Sequence, residues 1–274
     1  MKIAIAIAAQ ESLPHLLFSG KLEEGLDKIA HMGYEGVELS IRNPNQLDIN
    51  KISELIQKNK LEVSAIGTGL TFTIDGLSFS HSNKNVRSEA VERIKNHIDF
   101  AYFFQSKILI GYVKGPLSHE IADRKVQKEW IKSCLKECAQ FALKKKVTLL
   151  LEMINKFESG FLNTIAEGAK FIENLGEDNV KLLIDTFHMN IEESSNYGAI
   201  VEGNQLIDYV HLADNNRMYP GAGQIDFSKV ISALRKIGYE GYLTTEVVPK
   251  PSDEVAAQMS IKNIKSFLAL IDEK

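Results

Sequence analysis

The chain has 274 residues, of which 44% are hydrophobic and 25% charged, a composition that excludes intrinsic disorder and supplies material for one large core. Lys and Arg total 32 against 36 Asp and Glu, a formal net charge of -4, so the bulk charge gives no reason to expect nucleic acid as a partner. No apolar run approaches the ~18 residues that span a bilayer, and no membrane partner is expected.

The chain opens with MKIAIAIAAQES, where Lys2 precedes a short apolar run containing small alanines. A signal peptide would carry a longer basic region, so the stretch reads as a first strand over 2–8. Further short aliphatic or β-branched runs follow as EGVELS (35–40), EVSAIGTG (62–69), KILIGYV (107–113) and VTLLLEMI (147–154). VKLLIDTF (180–187), DYVHLAD (208–214) and GYLTTEVV (241–248) complete a set of eight strands. Helical spacing of apolar residues marks the stretches between them, among them KLEEGLDKIAHMG, INKISELIQKNK, VRSEAVERIKNHIDFAYFF, NTIAEGAKFIENLG and FSKVISALRKIG. Gly33, Gly176 and Gly238 stand where helix C-caps favour glycine. In EWIKSCLKECAQFALKKK, Ile131, Leu135, Cys138 and Ala142 recur at helical spacing, which places Cys134 and Cys138 on or beside one helical face. No nearby histidine or further cysteine completes a metal set there. Two thiols without a wider cysteine framework suit a reducing cytoplasm.

Strand and helix alternating eight times predict parallel strands joined by right-handed crossovers. The strands are nearly continuously apolar, so both faces are expected to be covered, as in a (β/α)8 TIM barrel of about 250 residues. A doubly wound open sheet is the rival, but its glycine-rich dinucleotide turn is missing after the first strand. No linker or change of composition divides the chain, so residues 1–274 are expected to form a single TIM-barrel domain.

Four of these strands end in groups that bind protons and cations: Glu152 after the fifth, Asp185 after the sixth, His211 in the seventh and Glu246 in the eighth. Successive members are separated by about one β/α unit, and neighbouring strands lie about 4.8 Å apart, so inward side chains at one level converge. Three carboxylates in one mouth would raise each other's pKa unless a cation offsets the charge. A divalent metal is the simplest solution; three oxygen ligands and one imidazole suit Mn²⁺ and admit Mg²⁺, Co²⁺ or Zn²⁺. Taken singly, each could be no more than a polar strand end. Their common phase at the face where barrel enzymes place catalysis argues otherwise. His188, in the loop expected after the sixth strand, is either a capping histidine or a group that reaches a substrate oxygen. Asn190, Glu192 and Glu193 are expected to start the next helical turn, where acids favour the N-terminus. Arg217, in HLADNNRMYPGAGQIDF, is either a surface cation or a clamp for an oxyanion. Gly221 and Gly223 could offer amides to a phosphate, but a lone GxG reads more readily as a loop turn.

The strings LLLEMINKFESGFLNT, LLIDTFHMNIEE and HLADNNRMYPGAGQIDF, with TTEVV near the end, resemble the ketose 3-epimerase family of xylose-isomerase-like TIM barrels, which includes D-tagatose and D-psicose 3-epimerases. FSGKLEEGLDKIAHMGYEGVELSIRNP, SAIGTG and DGLSFSHSNKNVRSEAVERI in the first half resemble most the 5-keto-L-gluconate epimerase of the same family. The resemblance implies that Glu152, Asp185, His211 and Glu246 hold the metal, with Glu152 and Glu246 doubling as the acid/base pair. It also implies that Glu158, His188 and Arg217 contact substrate. One departure stands out: free-ketohexose epimerases carry aromatic residues just after the first strand, where this chain has AIAAQESLPH, and this favours a keto-acid or otherwise modified sugar.

The expected function is therefore that of a metal-dependent epimerase of a keto sugar or keto-aldonate. One glutamate would remove the proton beside the ketone and the other would return one to the opposite face. Aldose–ketose isomerisation is a rival that uses the same enediolate. An endonuclease IV-like phosphodiesterase would need further histidine and acidic ligands and a basic groove. A catalytically idle sugar-binding barrel is disfavoured by the intact acid pair. Exposed apolar helix faces are compatible with a homo-oligomer.

Overall fold

The structure, a computed structural model, describes residues 1–10, 16–118 and 120–272. Eight parallel strands follow one another around a closed barrel in chain order: β1 Lys2–Ala8, β2 Gly36–Ser40, β3 Glu62–Gly67, β4 Lys107–Ile110, β5 Leu149–Glu152, β6 Val180–Asp185, β7 Ile207–Leu212 and β8 Tyr242–Thr245. β8 closes on β1 through the pairs Lys2 with Tyr242 and Ile5 with Thr245. The helices are α1 Leu22–Met32, α2 Ile49–Lys58, α3 Gly69–Thr73, α4 Lys84–Phe104, α5 Ile121–Lys144, α6 Ile165–Leu175, α7 Thr186–Glu192, α8 Asn196–Gly203, α9 Phe227–Lys236 and α10 Asp253–Asp272. Among the described residues no helix is long and apolar enough to cross a membrane.

The two-residue repeat of each strand sorts its side chains between two cores. Leu149 and Leu151 of β5, Leu182 and Ile184 of β6, and Val210 and Leu212 of β7 face the helix layer and belong to the main apolar core. The alternate residues Leu150, Leu183 and Tyr209 point into the barrel, where with Ala65 and Leu109 they form a second, smaller apolar cluster. In that inward phase the next positions along these three strands are Glu152, Asp185 and His211. A dry floor thus lies one inward step below a polar mouth.

Local signals account for several boundaries. Gly33 and Gly176 end α1 and α6 in left-handed conformation, at φ 87° and 72°, where a side chain would be strained. Thr164 and Glu167 form a reciprocal capping box at the start of α6. Ile131, Leu135, Cys138 and Ala142 are buried along α5, and Cys134 is half-buried beside them; both cysteines are free thiols.

Several strands are shorter than their apolar runs. β4 stops at Ile110 because Tyr112–Lys114 turns as a single 3₁₀ turn, and β6 stops at Asp185. The Asp185 carboxylate accepts the amide of Phe187 at 2.8 Å and caps α7, so His188 stands on the first turn of a helix rather than in a loop. Asn190 and Glu192 lie toward the end of α7, and Glu193 is its C-cap. They do not start a helix. Glu192 and Glu193 instead accept the backbone amides of Lys156 and Ile165, at 2.6 and 2.8 Å, tying the β5–α6 loop to α7.

Candidate active site

Glu152 is the last residue of β5, Asp185 the last of β6 and His211 the penultimate of β7, while Glu246 directly follows β8. Asp185 and His211 are direct partners in the β6–β7 ladder, and His211 pairs with Thr244 of β8, two residues before Glu246. These placements bring one ligand atom from each of the four within 4.8 Å of the others. Glu152, Asp185 and His211 are buried and Glu246 is partly so. His211 Nδ1 lies 3.8 Å from Glu152 Oε1 and 3.6 Å from Glu246 Oε2.

His211 is oriented from behind. Its Nε2 meets Glu38 Oε2 at 2.8 Å, with both side chains buried, and the Tyr209 ring packs edge-on against the imidazole. Donation of the Nε2 proton to Glu38 turns Nδ1 toward the acids, the arrangement in which a carboxylate orients a metal-ligating histidine. Glu38, in the inward phase of β2, did not stand out in the sequence because it sits inside a strand rather than at its end.

The electrostatics are those of a crowded, largely buried acid cluster. Burial, then the nearby Glu246 carboxylate, raises the Glu152 carboxyl well above its usual range, and burial raises that of Asp185. Burial alone would lower the His211 imidazole, but the carboxylates of Glu38 and Glu246 outweigh it and raise it to about 10. Asp185 Oδ2 and His211 Nδ1 are buried without a hydrogen-bond partner, an arrangement that costs free energy unless something binds there. An orphaned carboxylate oxygen and an unpartnered imidazole nitrogen within a set of three carboxylates and one imidazole fit a divalent metal, which would replace the Nδ1 proton and whose ligands would be Glu152, Asp185, His211 and Glu246. Among the described residues no other group of three or more such ligands comes together. The endonuclease-type cluster, which needs additional ligands, therefore has no counterpart there.

His188 is buried beside this set, with its Nε2 3.8 Å from Asp185 Oδ2. Asn155 approaches its Nδ1 with the backbone amide at 3.3 Å and with Nδ2 at 2.7 Å, and Arg217 Nη1 approaches its Nε2 at 3.4 Å. Burial, with the Arg217 guanidinium next, holds its pKa far below the usual imidazole range and keeps the ring neutral. Arg217 Nη2 donates to Glu246 Oε2 at 2.7 Å, and its guanidinium lies over the Phe187 ring at 4.7 Å. Glu158 stands at the rim, where Tyr112 Oη donates to one of its oxygens and Asn155 Nδ2 to the other at 2.7 Å.

The loop that carries Arg217 is built round one buried carboxylate. Asp214 accepts the backbone amides of Asn215 and Ile225 on Oδ1, at 2.9 and 3.1 Å, and those of Gly221 and Gly223 on Oδ2, at 2.9 and 2.8 Å. The Gly221 and Gly223 amides are thus bound to Asp214, and that of Ala222 to Tyr219 O at 3.0 Å, rather than held out for a phosphate. A cavity of about 400 Å³ opens above the cluster, walled by Thr68, Leu70, Tyr112, Glu158, Val247 and Leu16 among others. Of the segment AIAAQESLPH (6–15), where free-ketohexose epimerases carry aromatic residues, residues 11–15 lie outside the described residues.

A closed parallel barrel with an acid-rich ligand set at its C-terminal mouth defines the class, a (β/α)8 enzyme with a candidate divalent-metal site. The chain belongs to the xylose isomerase-like TIM barrel family, whose model matches residues 26–267. An L-ribulose 3-epimerase of Mesorhizobium japonicum is 33% identical over 228 residues, covering 82% of this chain and 75% of that protein. A 3-dehydro-D-guloside 4-epimerase of Escherichia coli K12 is 32% identical over 243 residues, covering 84% and 88%. A solved structure of an L-ribulose 3-epimerase superposes with a TM-score of 0.85 at 29% identity, covering 99% of this chain and 96% of the other. The resemblance to ketose 3-epimerases holds, and the protein is an isomerase of the carbohydrate epimerase type.

Proposed function

We propose that the protein epimerises a keto sugar or keto-aldonate, of the ketohexose or 5-keto-L-gluconate 3-epimerase type, by inverting a carbon next to the ketone through an enediolate. The observation that carries this reading is the placement of Glu152 and Glu246. They enter the site from β5 and from the end of β8, three strands apart around the barrel, yet both reach within 3.8 Å of His211 Nδ1. Two carboxylates converging from different sides suit proton removal from one face of a carbon and delivery to the other. A divalent ion, Mn²⁺ in our reading, would supply Lewis acidity toward the ketone and the adjacent hydroxyl. His188, Arg217 and Glu158 contact substrate oxygens, and Arg217 also holds Glu246 through Nη2 at 2.7 Å.

The walls bear on the substrate. Among the described residues lining the cavity, Arg217 is the only cation, and it is already engaged with Glu246. On the described walls a terminal phosphate or carboxylate would meet only Arg217, in competition with Glu246, which favours the neutral keto sugar of the two classes over the keto-acid suggested by AIAAQESLPH. A phosphorylated ketose is expected to turn over at least ~10-fold more slowly than its free counterpart, since burying an unpaired charge costs at least ~1.4 kcal/mol.

Proton NMR in D₂O with Mn²⁺ and a panel of ketoses and keto-aldonates tests the assignment. The expected product has one inverted centre, deuterium at that carbon and an unmoved carbonyl. Migration of the carbonyl would make the enzyme an aldose–ketose isomerase and overturn the reading. Glu152→Gln and Glu246→Gln are each expected to lower turnover by ~10² to 10⁴-fold, and near-normal rates in either would sink the two-base scheme.

A further inference from the structure

Lys114 is fully buried, and its ammonium donates to the main-chain carbonyl of Glu152. The reason lies in the ladder between β4 and β5. Ile108 N donates to Thr148 O at 3.0 Å, so by the two-residue repeat the carbonyl of Glu152 faces the place where residue 112 would extend β4. Tyr112 instead opens the 3₁₀ turn, and the carbonyl loses its ladder donor. Lys114, at the end of that turn, takes its place. The same turn shapes the room for the side chain, because a Cβ on Gly111 would overlap Glu152 Oε2.

We infer that Lys114 is a positioning residue for Glu152, holding the end of β5 so that the carboxylate stands at the ligand cluster with Gly111 beneath it. The inference rests on the proposed role of Glu152 as ligand and base. It is consistent with the charge of the site: the carboxylates of Glu38, Glu152, Asp185 and Glu246 are matched by one divalent ion together with Arg217 and Lys114. Lys114 stands on the β5 side of the cluster and Arg217 on the β8 side, so each glutamate of the proposed acid/base pair has its own cation.

The test compares Lys114→Met, which removes charge and donor, with Lys114→Gln, which keeps a donor for the carbonyl. Two readouts are taken on the full chain: Mn²⁺ affinity by electron paramagnetic resonance titration, and kcat and KM with L-ribulose or D-psicose. Supporting groups behind metal ligands are typically worth about 10 to 100-fold, so Lys114→Met should lose that much in kcat or Mn²⁺ affinity, with KM moving less than about threefold. Lys114→Gln should recover most of the loss. The inference is overturned if Lys114→Met stays within about threefold of the parent in both readouts, or if Lys114→Gln loses as much as Lys114→Met. Should Lys114→Met fail to fold, Lys114→Gln decides alone, near-parental values supporting the inference and a full loss overturning it. Glu152→Gln is measured in parallel: if it retains normal turnover, the reading of Glu152 itself falls, whatever Lys114 does.

Discussion

Replacing Glu38 by alanine removes the acceptor behind His211 while leaving all four proposed ligands in place. The contact is 2.8 Å long between two buried side chains, so no water competes for the Nε2 proton. A hydrogen bond to a charged group contributes about 1.5–3 kcal/mol, and each ~1.4 kcal/mol is a factor of ten. Without Glu38 the imidazole can turn or exchange tautomer, and Nδ1 is no longer held toward the acids. Mn²⁺ affinity, measured by titrating metal-free protein, is therefore expected to fall ~10 to 100-fold in Glu38→Ala. Glu38→Gln keeps an acceptor for the Nε2 proton without the charge and should fall less than ~10-fold. Thermal unfolding of both metal-free variants controls for damage to the barrel. Binding by Glu38→Ala within about threefold of the parent would refute the argument that this carboxylate sets the histidine for metal.

Asp214→Ala leaves the amides of Gly221 and Gly223 without their acceptor and should cost about 1–3 kcal/mol in a denaturant titration, with weaker turnover because Arg217 loses its loop. An unchanged midpoint would mean that water replaces the carboxylate fully. The acid cluster also predicts a pH effect on metal-free protein. The folded pKa of Glu152 is raised above the ordinary 4.5, so its contribution is complete below about pH 4.5 and is lost as pH rises. Metal-free Glu152→Gln, which cannot ionise there, should therefore gain in melting temperature over the parent between about pH 5 and pH 8, and a constant gap would contradict the assigned shift.

What could be read in the sequence follows the strand repeat. Leu150, Leu183 and Tyr209 fill the barrel floor, and the next inward residues are Glu152, Asp185 and His211, so an acid or histidine closing an apolar run was already in the right phase. Glu38 shares that phase in β2 but stands between Val37 and Leu39, where its partner on β7 is remote in the chain. Nothing local marks it. Asp214 was hidden for a different reason. HLADNNRMYPGAGQIDF offers Asp214, Asn215 and Asp226 as turn carboxylates or amides, and only the folded loop decides which one collects the glycine amides.

The misread boundaries and the unread residues have one physical origin. Apolar composition persists beyond the point where hydrogen bonding changes, so VKLLIDTF looks like strand through Phe187 although Asp185 has already capped a helix. KILIGYV likewise looks like strand through Val113, although the chain has turned at Tyr112. At both breaks a side chain satisfies a backbone group that the ladder gives up: the Asp185 carboxylate takes the Phe187 amide, and the Lys114 ammonium takes the Glu152 carbonyl. A buried barrel mouth leaves such groups costly to abandon, so charged side chains are drawn there by the backbone itself. The same exchange brings charge to the place where a metal and a substrate would need it. Asp185 performs it with one oxygen and leaves the other, Oδ2, without a partner and facing the cluster.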